Sequence, residues 1–335
     1  MKTDICIIGA GPVGIFSAFQ AGMLGMKCVI IDALSFAGGQ CSALYPEKPI
    51  YDIPSHKSIT GQGLIDGLLK QAEVFSPKFI LDSKATDLIE EDGGFKVRVA
   101  HKDGLESSVW AKAVIIAGGS GFFGPNRPPL SGIEKFEGDS ILYFIDKMSR
   151  FEGKDVVIAG GGDSAVDWAI SLAAIAKSVS IVHRRGDFRA MPESEKQLLE
   201  LGNSGKIGIF TPYQLSGIVE NNGVLSGVEI EGINDEGKRV INADYLLPFF
   251  GLKTDIGDIA KWDLAIEKKV ISVDPSRMST SRKGVYAVGD MCSYAGKLKL
   301  ILCGFSEAAI AVHAAYADVF PDKPLHFEHS TSKKM

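Results

Sequence analysis

The chain is poor in cysteine: five occur among 335 residues, and no two stand in a C-x-x-C arrangement. Cys6, Cys28, Cys41, Cys292 and Cys303 are odd in number and scattered, which argues against a disulfide framework and for a reducing, cytoplasmic setting. Positive charge is also short, with 36 Lys and Arg against 41 Asp and Glu and a net charge of −5. No global field attracts nucleic acid, so any basic patch is local. The 38 glycines and 14 prolines amount to about half of a low-complexity composition. With 45% hydrophobic and 23% charged residues, disordered and collagen-like classes are excluded. Only one long uncharged stretch occurs, from Ile5 to Met26, and its length alone would suit a membrane span or a signal peptide. Gly9, Gly11, Gly14, Gly22, Gly25 and Pro12 weaken that reading, because they fall where a strand would turn tightly into a helix. A soluble chain without a leader or a membrane partner is expected, and at roughly 150 residues per domain it holds about two domains.

The remaining pattern is βαβ, repeated. A buried strand over Thr3–Ile8 leads through GAGPVG into an amphipathic helix reaching about Leu24, followed by the strand Cys28–Asp32. A Gly-, Ser- and Pro-rich loop follows, then a helix near 61–75, alternating strands over 79–100 and a strand over 112–119. The second unit opens at DVVIAGGGDSAVDWAISLA and ends in SVSIVHRR, with 151 residues between the equivalent glycines Gly9 and Gly160. Strands near 213–231 and 243–249 close it. The run KGVYAVGDM then leads into an alanine-rich helix over 306–319. The expected fold class is α/β with two Rossmann-like dinucleotide-binding domains, the second inserted into the first: residues 1–120 and 248–335 form one, residues 121–247 the other.

A single G-x-G-x-x-G is equally compatible with a plain tight turn. Two copies, each after a β-branched strand and each opening a helix, point to pyrophosphate binding by backbone N–H groups at the helix N-terminus. The first copy is Gly9, Gly11 and Gly14. The second is Gly160, Gly162 and Ala165, with Asp163 and Ser164 opening its helix. What separates them is the end of the second strand, where a carboxylate accepts ribose hydroxyls and a cation pairs with a 2′-phosphate. Twenty-three residues after Gly9 stands Asp32; twenty-three after Gly160 stands His183, followed by Arg184, Arg185 and Arg189. FAD in the first unit and NADPH in the second is the economical assignment, and Asp290 in YAVGD suits a ribitol hydroxyl.

GAGPVG, AGGQCSALYPEKPIYD, AGGSGFFGP, AGGGDSAVDWA, VHRRGDFRA, AVGD and the terminal HSTS together resemble, over essentially the whole chain, the ferredoxin (or flavodoxin)–NADP+ reductases of the thioredoxin-reductase-like type. The resemblance implies that Asp32 binds the adenosine ribose of FAD, that Gln40 and Tyr45 contact the flavin with Tyr45 stacked on it, and that Phe123 and Asp290 line the rest. It implies backbone contacts to the adenine from Ala85, a cofactor-side position for Phe16, and a tail in which Thr331 reaches the flavin while His329, with His326 close by, covers its other face. Hydride would pass from NADPH to FAD, and single electrons from FAD to ferredoxin or flavodoxin, with no side chain acting as general acid or base. Such acceptors are acidic, so a local basic docking surface is expected, with Lys48, Lys57, Lys297, Lys299, Lys333 and Lys334 as candidates. Homodimerisation follows from the resemblance alone. No metal site is expected.

A flavin disulfide reductase needs two thiols beside the flavin, and neither the segment 140–155 nor the loop around Cys41 offers a pair. A disulfide reductase therefore ranks below direct electron transfer. A non-catalytic FAD-binding redox sensor and an NADPH oxidase or quinone reductase remain open at this point.

Overall fold

A computed structural model describes residues 1–234 and 237–325. The chain divides into two compact units, one made of Met1–Phe123 together with the segment from Thr254 onward, the other of Gly124–Lys253.

In the first unit the strand Lys2–Ile8 lies between Cys28–Ile31 and Glu106–Ile116, all parallel, with Lys78–Ile80 beyond the former. Ile5 and Ile7, Ile30 and Ile31, and Val114 to Ile116 are essentially inaccessible. Burial on both faces explains why these strands read as unbroken β-branched runs. One edge of Glu106–Ile116 is shared. Its first half pairs antiparallel with Gly94–His101, which in turn pairs with Ser83–Glu91, and its last three residues pair parallel with Val285–Ala287.

Helix α1 (Pro12–Met23) starts with proline at its first turn, where the missing N–H costs nothing. It buries Ile15, Ala18 and Phe19, and α3 (Gly61–Glu73), capped by Thr60 through the Gly63 N–H, packs against it. Between them in sequence lies the five-residue α2 (Gln40–Leu44). Helix α6 (Ile301–Val319) completes the unit against α1 and begins five residues earlier than its alanine content suggests. The close approach depends on Gly304, where a Cβ would come within 2.4 Å of Val13.

In the second unit the parallel order is Ile207–Phe210, Ser178–Val182, Asp155–Ala159, Tyr245–Pro248, beside an antiparallel sheet of Tyr213–Asn221, Val224–Gly232 and Lys238–Asn242. Helix α4 (Asp163–Leu172) follows the glycines. Helix α5 (Pro192–Asn203) is an element the sequence reading passes over, although Pro192, Glu193 and Glu195 in its first turn mark a helix start. In both units the first strand sits where the strand order reverses, which opens a crevice at its carboxyl end. No helix among the described residues is long and apolar enough to cross a membrane.

Candidate functional site

The crevice of the first unit is a cavity of about 350 Å³. Gly9 and Gly11, Asp32, Gln40, Cys41, Tyr45, Ala85, Phe123 and Asp290 all line it, so residues from six separate segments meet at one place. Gly14 and Phe16 stand behind the wall. A Cβ at Gly14 would come within 1.9 Å of the Gly9 carbonyl oxygen, and Phe16 packs on Phe19 and Phe305. Gly9 itself has φ +109, and a side chain there would strike the Ala117 carbonyl. Gly11 differs from both. It has ordinary backbone angles, faces the cavity, and has no protein atom within 4 Å of where a Cβ would be. Helix α1 has no side-chain cap, so its first N–H groups remain open to an anion.

Asp32 is held from two sides, its Oδ2 accepting from the Ala10 N–H at 2.6 Å and its Oδ1 from the Leu34 N–H at 2.8 Å. Burial pushes its pKa above the ordinary carboxylate value, with backbone N–H groups of Ala10, Leu34 and Ala33 opposing. Added hydroxyl donors would relieve that desolvation, which is what a ribose supplies. Burial also raises the Tyr45 phenol and the Cys41 thiol, whose Sγ lies 3.5 Å from the Tyr45 hydroxyl. Both groups stay protonated near neutrality, and neither is a nucleophile. Cys41 is the cysteine of this cavity; Cys6 and Cys28 lie in the sheet core, where burial pushes their thiols up, Cys28 to about 12. All five cysteines are free. The cavity thus offers one thiol and no dithiol.

In the second unit Arg184, Arg185 and Arg189 are exposed at the end of Ser178–Val182, and among the described residues none is in an ion pair. Their loop is tied over the glycines: the Arg189 N–H donates to the Gly161 carbonyl at 2.6 Å, and the Met191 N–H to Asp163 Oδ1 at 2.8 Å. Asp163 therefore holds the loop. Ser164 is exposed in the first turn of α4, and Ala165 packs behind Gly160 at 3.0 Å from where a Cβ would be. Gly162 stands nearly open, its nearest neighbour the Arg189 carbonyl.

Position arithmetic groups His183 with the arginines, and the structure separates them. Its ring stacks on Phe188 with centroids 5.5 Å apart and lies against Gly161, where any side chain would meet the imidazole at 2.3 Å. Its Nε2 is buried with no hydrogen-bond partner among the described residues. Burial lowers its pKa, and the charges of Arg185, Arg184 and Arg189 add to this against a hydrogen bond at the Asp187 backbone. His183 is a neutral wedge under the loop. Because its folded pKa lies below the ordinary 6.5, the unfolded chain takes up the proton first as pH falls through that value, and stability is lost toward acid. Thermal unfolding is expected to fall more steeply between about pH 7 and about pH 5 in the natural chain than in His183→Gln. Parallel profiles would remove the imidazole from this account.

Lys299, a docking candidate by sequence, lines this cavity, and three further lining residues escape sequence reasoning: Lys84, whose ammonium sits 4.7 Å from the Phe122 ring, Asp258 and Ile301. No motif or spacing marks them. Lys297 requires a correction. Its side chain is 6% exposed and paired with Glu307, so it does not belong to a docking surface. His329, Thr331, His326, Lys333 and Lys334 lie outside the described residues.

Residues 3–315 match the model of the pyridine nucleotide-disulphide oxidoreductase family. The chain belongs to this family. Within it, the chain is 52% identical over 332 residues to the ferredoxin–NADP reductase of Rickettsia akari (strain Hartford), an alignment covering 99% of this chain and 98% of that protein. It is 50% identical to the ferredoxin–NADP reductase of Anaplasma marginale (strain St. Maries), covering 99% of both. In fold it is similar to the thioredoxin reductase of T. acidophilum, with a TM-score of 0.80 at 24% identity, over 95% of this chain and 98% of that one. The chain thus belongs to this family with a single cysteine, Cys41, lining the cavity of its first unit.

Proposed function

We propose that this chain is a flavoenzyme of the ferredoxin–NADP reductase type, which binds FAD in the unit of Met1–Phe123 and the segment from Thr254, and NADPH in Gly124–Lys253. The observation that carries the reading is the asymmetry of the two fingerprint sites. A buried carboxylate, Asp32, stands at one strand end, and three exposed arginines stand at the other. The curated relatives, about half identical over the whole chain, support the acceptor class. Bound FAD would supply the redox chemistry, taking a hydride from NADPH and passing single electrons to ferredoxin or flavodoxin.

The chain's own groups bind and orient. Asp32 accepts the ribose hydroxyls, the open N–H groups of α1 face the pyrophosphate, Gly11 leaves room for it, and Ala85 lines the adenine end. Gln40, Tyr45 and Phe123 contact the ring system, and Asp290 accepts a ribitol hydroxyl. Arg184, Arg185 and Arg189 pair with the 2′-phosphate of NADPH. Catalysis on this account is positioning and electrostatics, with no proton-transferring side chain. A homodimer and a cytoplasmic location belong to the same reading; the first rests on family resemblance and the second on five free thiols.

The purified protein is expected to be yellow, to hold about one FAD per chain, and to reduce ferredoxin or flavodoxin anaerobically with NADPH while leaving thioredoxin disulfide untouched. Since a disulfide acceptor needs a thiol pair to exchange with, robust thioredoxin reduction would overturn the reading. A colourless protein would do the same.

A further inference from the structure

Glu307, in the second turn of α6, is 2% exposed, and Lys297 is nearly as deeply buried. A carboxylate in that position is tolerated only when its lone pairs are filled and its charge is matched. Both conditions hold here. Oε2 accepts from the Gly289 backbone N–H at 2.7 Å and lies 3.6 Å from Cys292 Sγ; Oε1 accepts from the Tyr294 hydroxyl at 2.7 Å and from the Lys297 ammonium. Glu307 does not itself line the cavity of the first unit, yet its partners flank two stretches that do. Gly289, Asp290 and Met291 form one piece of wall, and Lys299, Leu300 and Ile301 form another. Gly289 has φ +70, a turn conformation open to glycine, and its N–H is the group the carboxylate holds.

We infer that the buried Glu307–Lys297 pair is the positioning device of the cofactor cavity, clamping the Gly289–Met291 turn and the entry to α6 so that Asp290 stays in the wall. The inference rests on the reading that this cavity holds FAD. Neither residue touches the cofactor; both act through the backbone of the turn. A buried pair of this kind shows a distinctive response to mutation: removing one partner strands a charge, whereas removing both leaves none. Two residues that contributed independently would give losses that add.

The test is FAD titration of apoprotein prepared from the natural chain, Lys297→Met, Glu307→Gln and the double variant, followed by flavin fluorescence and by the visible absorption band of bound FAD. Lys297→Met is expected to weaken FAD binding about tenfold or more and to shift the flavin band. In the double variant, the amide that replaces the Glu307 carboxylate keeps a carbonyl oxygen for the Gly289 N–H. Affinity should return to within about threefold of the natural chain, with the band restored. Losses in the double variant that equal the sum of the single ones overturn the inference, as does a folded Lys297→Met with unchanged affinity and spectrum. Should Lys297→Met fail to fold, Tyr294→Phe decides, because it deletes one donor and keeps both charges. FAD binding should then weaken severalfold with thermal stability of the apoprotein retained, and unchanged binding overturns the inference. Absence of FAD binding by the natural chain overturns the proposed function and this inference together, whereas natural binding with unaffected variants overturns this inference alone.

Discussion

Arg184→Ala combined with Arg185→Ala is expected to raise the Michaelis constant for NADPH about a hundredfold and to leave that for NADH within about threefold. Both side chains are exposed, at the end of the strand that follows the second fingerprint. A charge-assisted hydrogen bond contributes about 1.5–3 kcal/mol, and exposure places each arginine at the lower end, so two lost bonds come to about 3 kcal/mol. NADH has no 2′-phosphate to lose. Salt screens the same charges, so raising ionic strength should erode NADPH use in the natural chain more than in the double variant. Arg189 is the third candidate; its main chain is already fixed to Gly161, and its side chain starts beside the fingerprint. Equal loss of both coenzymes in steady-state kinetics would make the arginines structural and remove the basis for placing NADPH in this unit.

Gly11→Val should weaken FAD binding about a hundredfold while leaving the apoprotein folded. Backbone angles at Gly11 suit any residue and no protein atom lies within 4 Å of the added Cβ, so the cost to folding is that of valine for glycine at the N-cap of α1, about 1 kcal/mol. The added methyls instead fill the space against which the pyrophosphate must come to meet the N–H groups of α1. Losing two such hydrogen bonds amounts to about 3 kcal/mol, or roughly a hundredfold in affinity. Gly14→Ala provides the contrast, since its Cβ would sit 1.9 Å from the Gly9 carbonyl oxygen and must force α1 off the sheet. FAD titration and thermal unfolding of both variants separate the two glycines: one loses FAD affinity with the fold intact, the other loses both. A Gly11→Val protein with unchanged FAD affinity would exclude this cavity as the pyrophosphate site.

How far local sequence reaches is plain from individual elements. The strand Lys2–Ile8, the turn at Gly9–Gly14, α1 and the strand Cys28–Ile31 are legible because each depends on neighbours within a few residues: β-branched runs, a glycine that must adopt positive φ, proline at a helix start. Spacing then carries Asp32 to the cavity wall, because a βα unit of fixed geometry delivers the end of its second strand to the same place. The start of α6 is different. KLKLIL alternates like a strand, yet Ile301 begins the helix because it and Phe305 pack with Phe16 and Phe19 of α1, far away in sequence. The strand ending at Ile116 likewise runs back to Glu106, where its partner changes from Val285–Ala287 to the antiparallel Gly94–His101.

By itself, the sequence determined the two βαβ units, the acid at one ribose position and the arginines at the other, and the lack of a thiol pair, since each is a matter of residue identity at short, fixed spacing. Only the tertiary structure decided what each charge does. Lys297 and Lys299 look alike in sequence, two lysines in KLKL. One is buried against Glu307, ten residues further on, and the other lies at the cavity rim. His183 stands in sequence as the weaker candidate beside three arginines, mostly neutral near pH 7, and the fold adds the reason: its ring is pressed on Gly161 and Phe188, where burial favours the neutral form. The reason is the same in both cases: the cost of a charge is set by how much water and which counter-charge surround it, and these come from segments that meet only when the chain has folded.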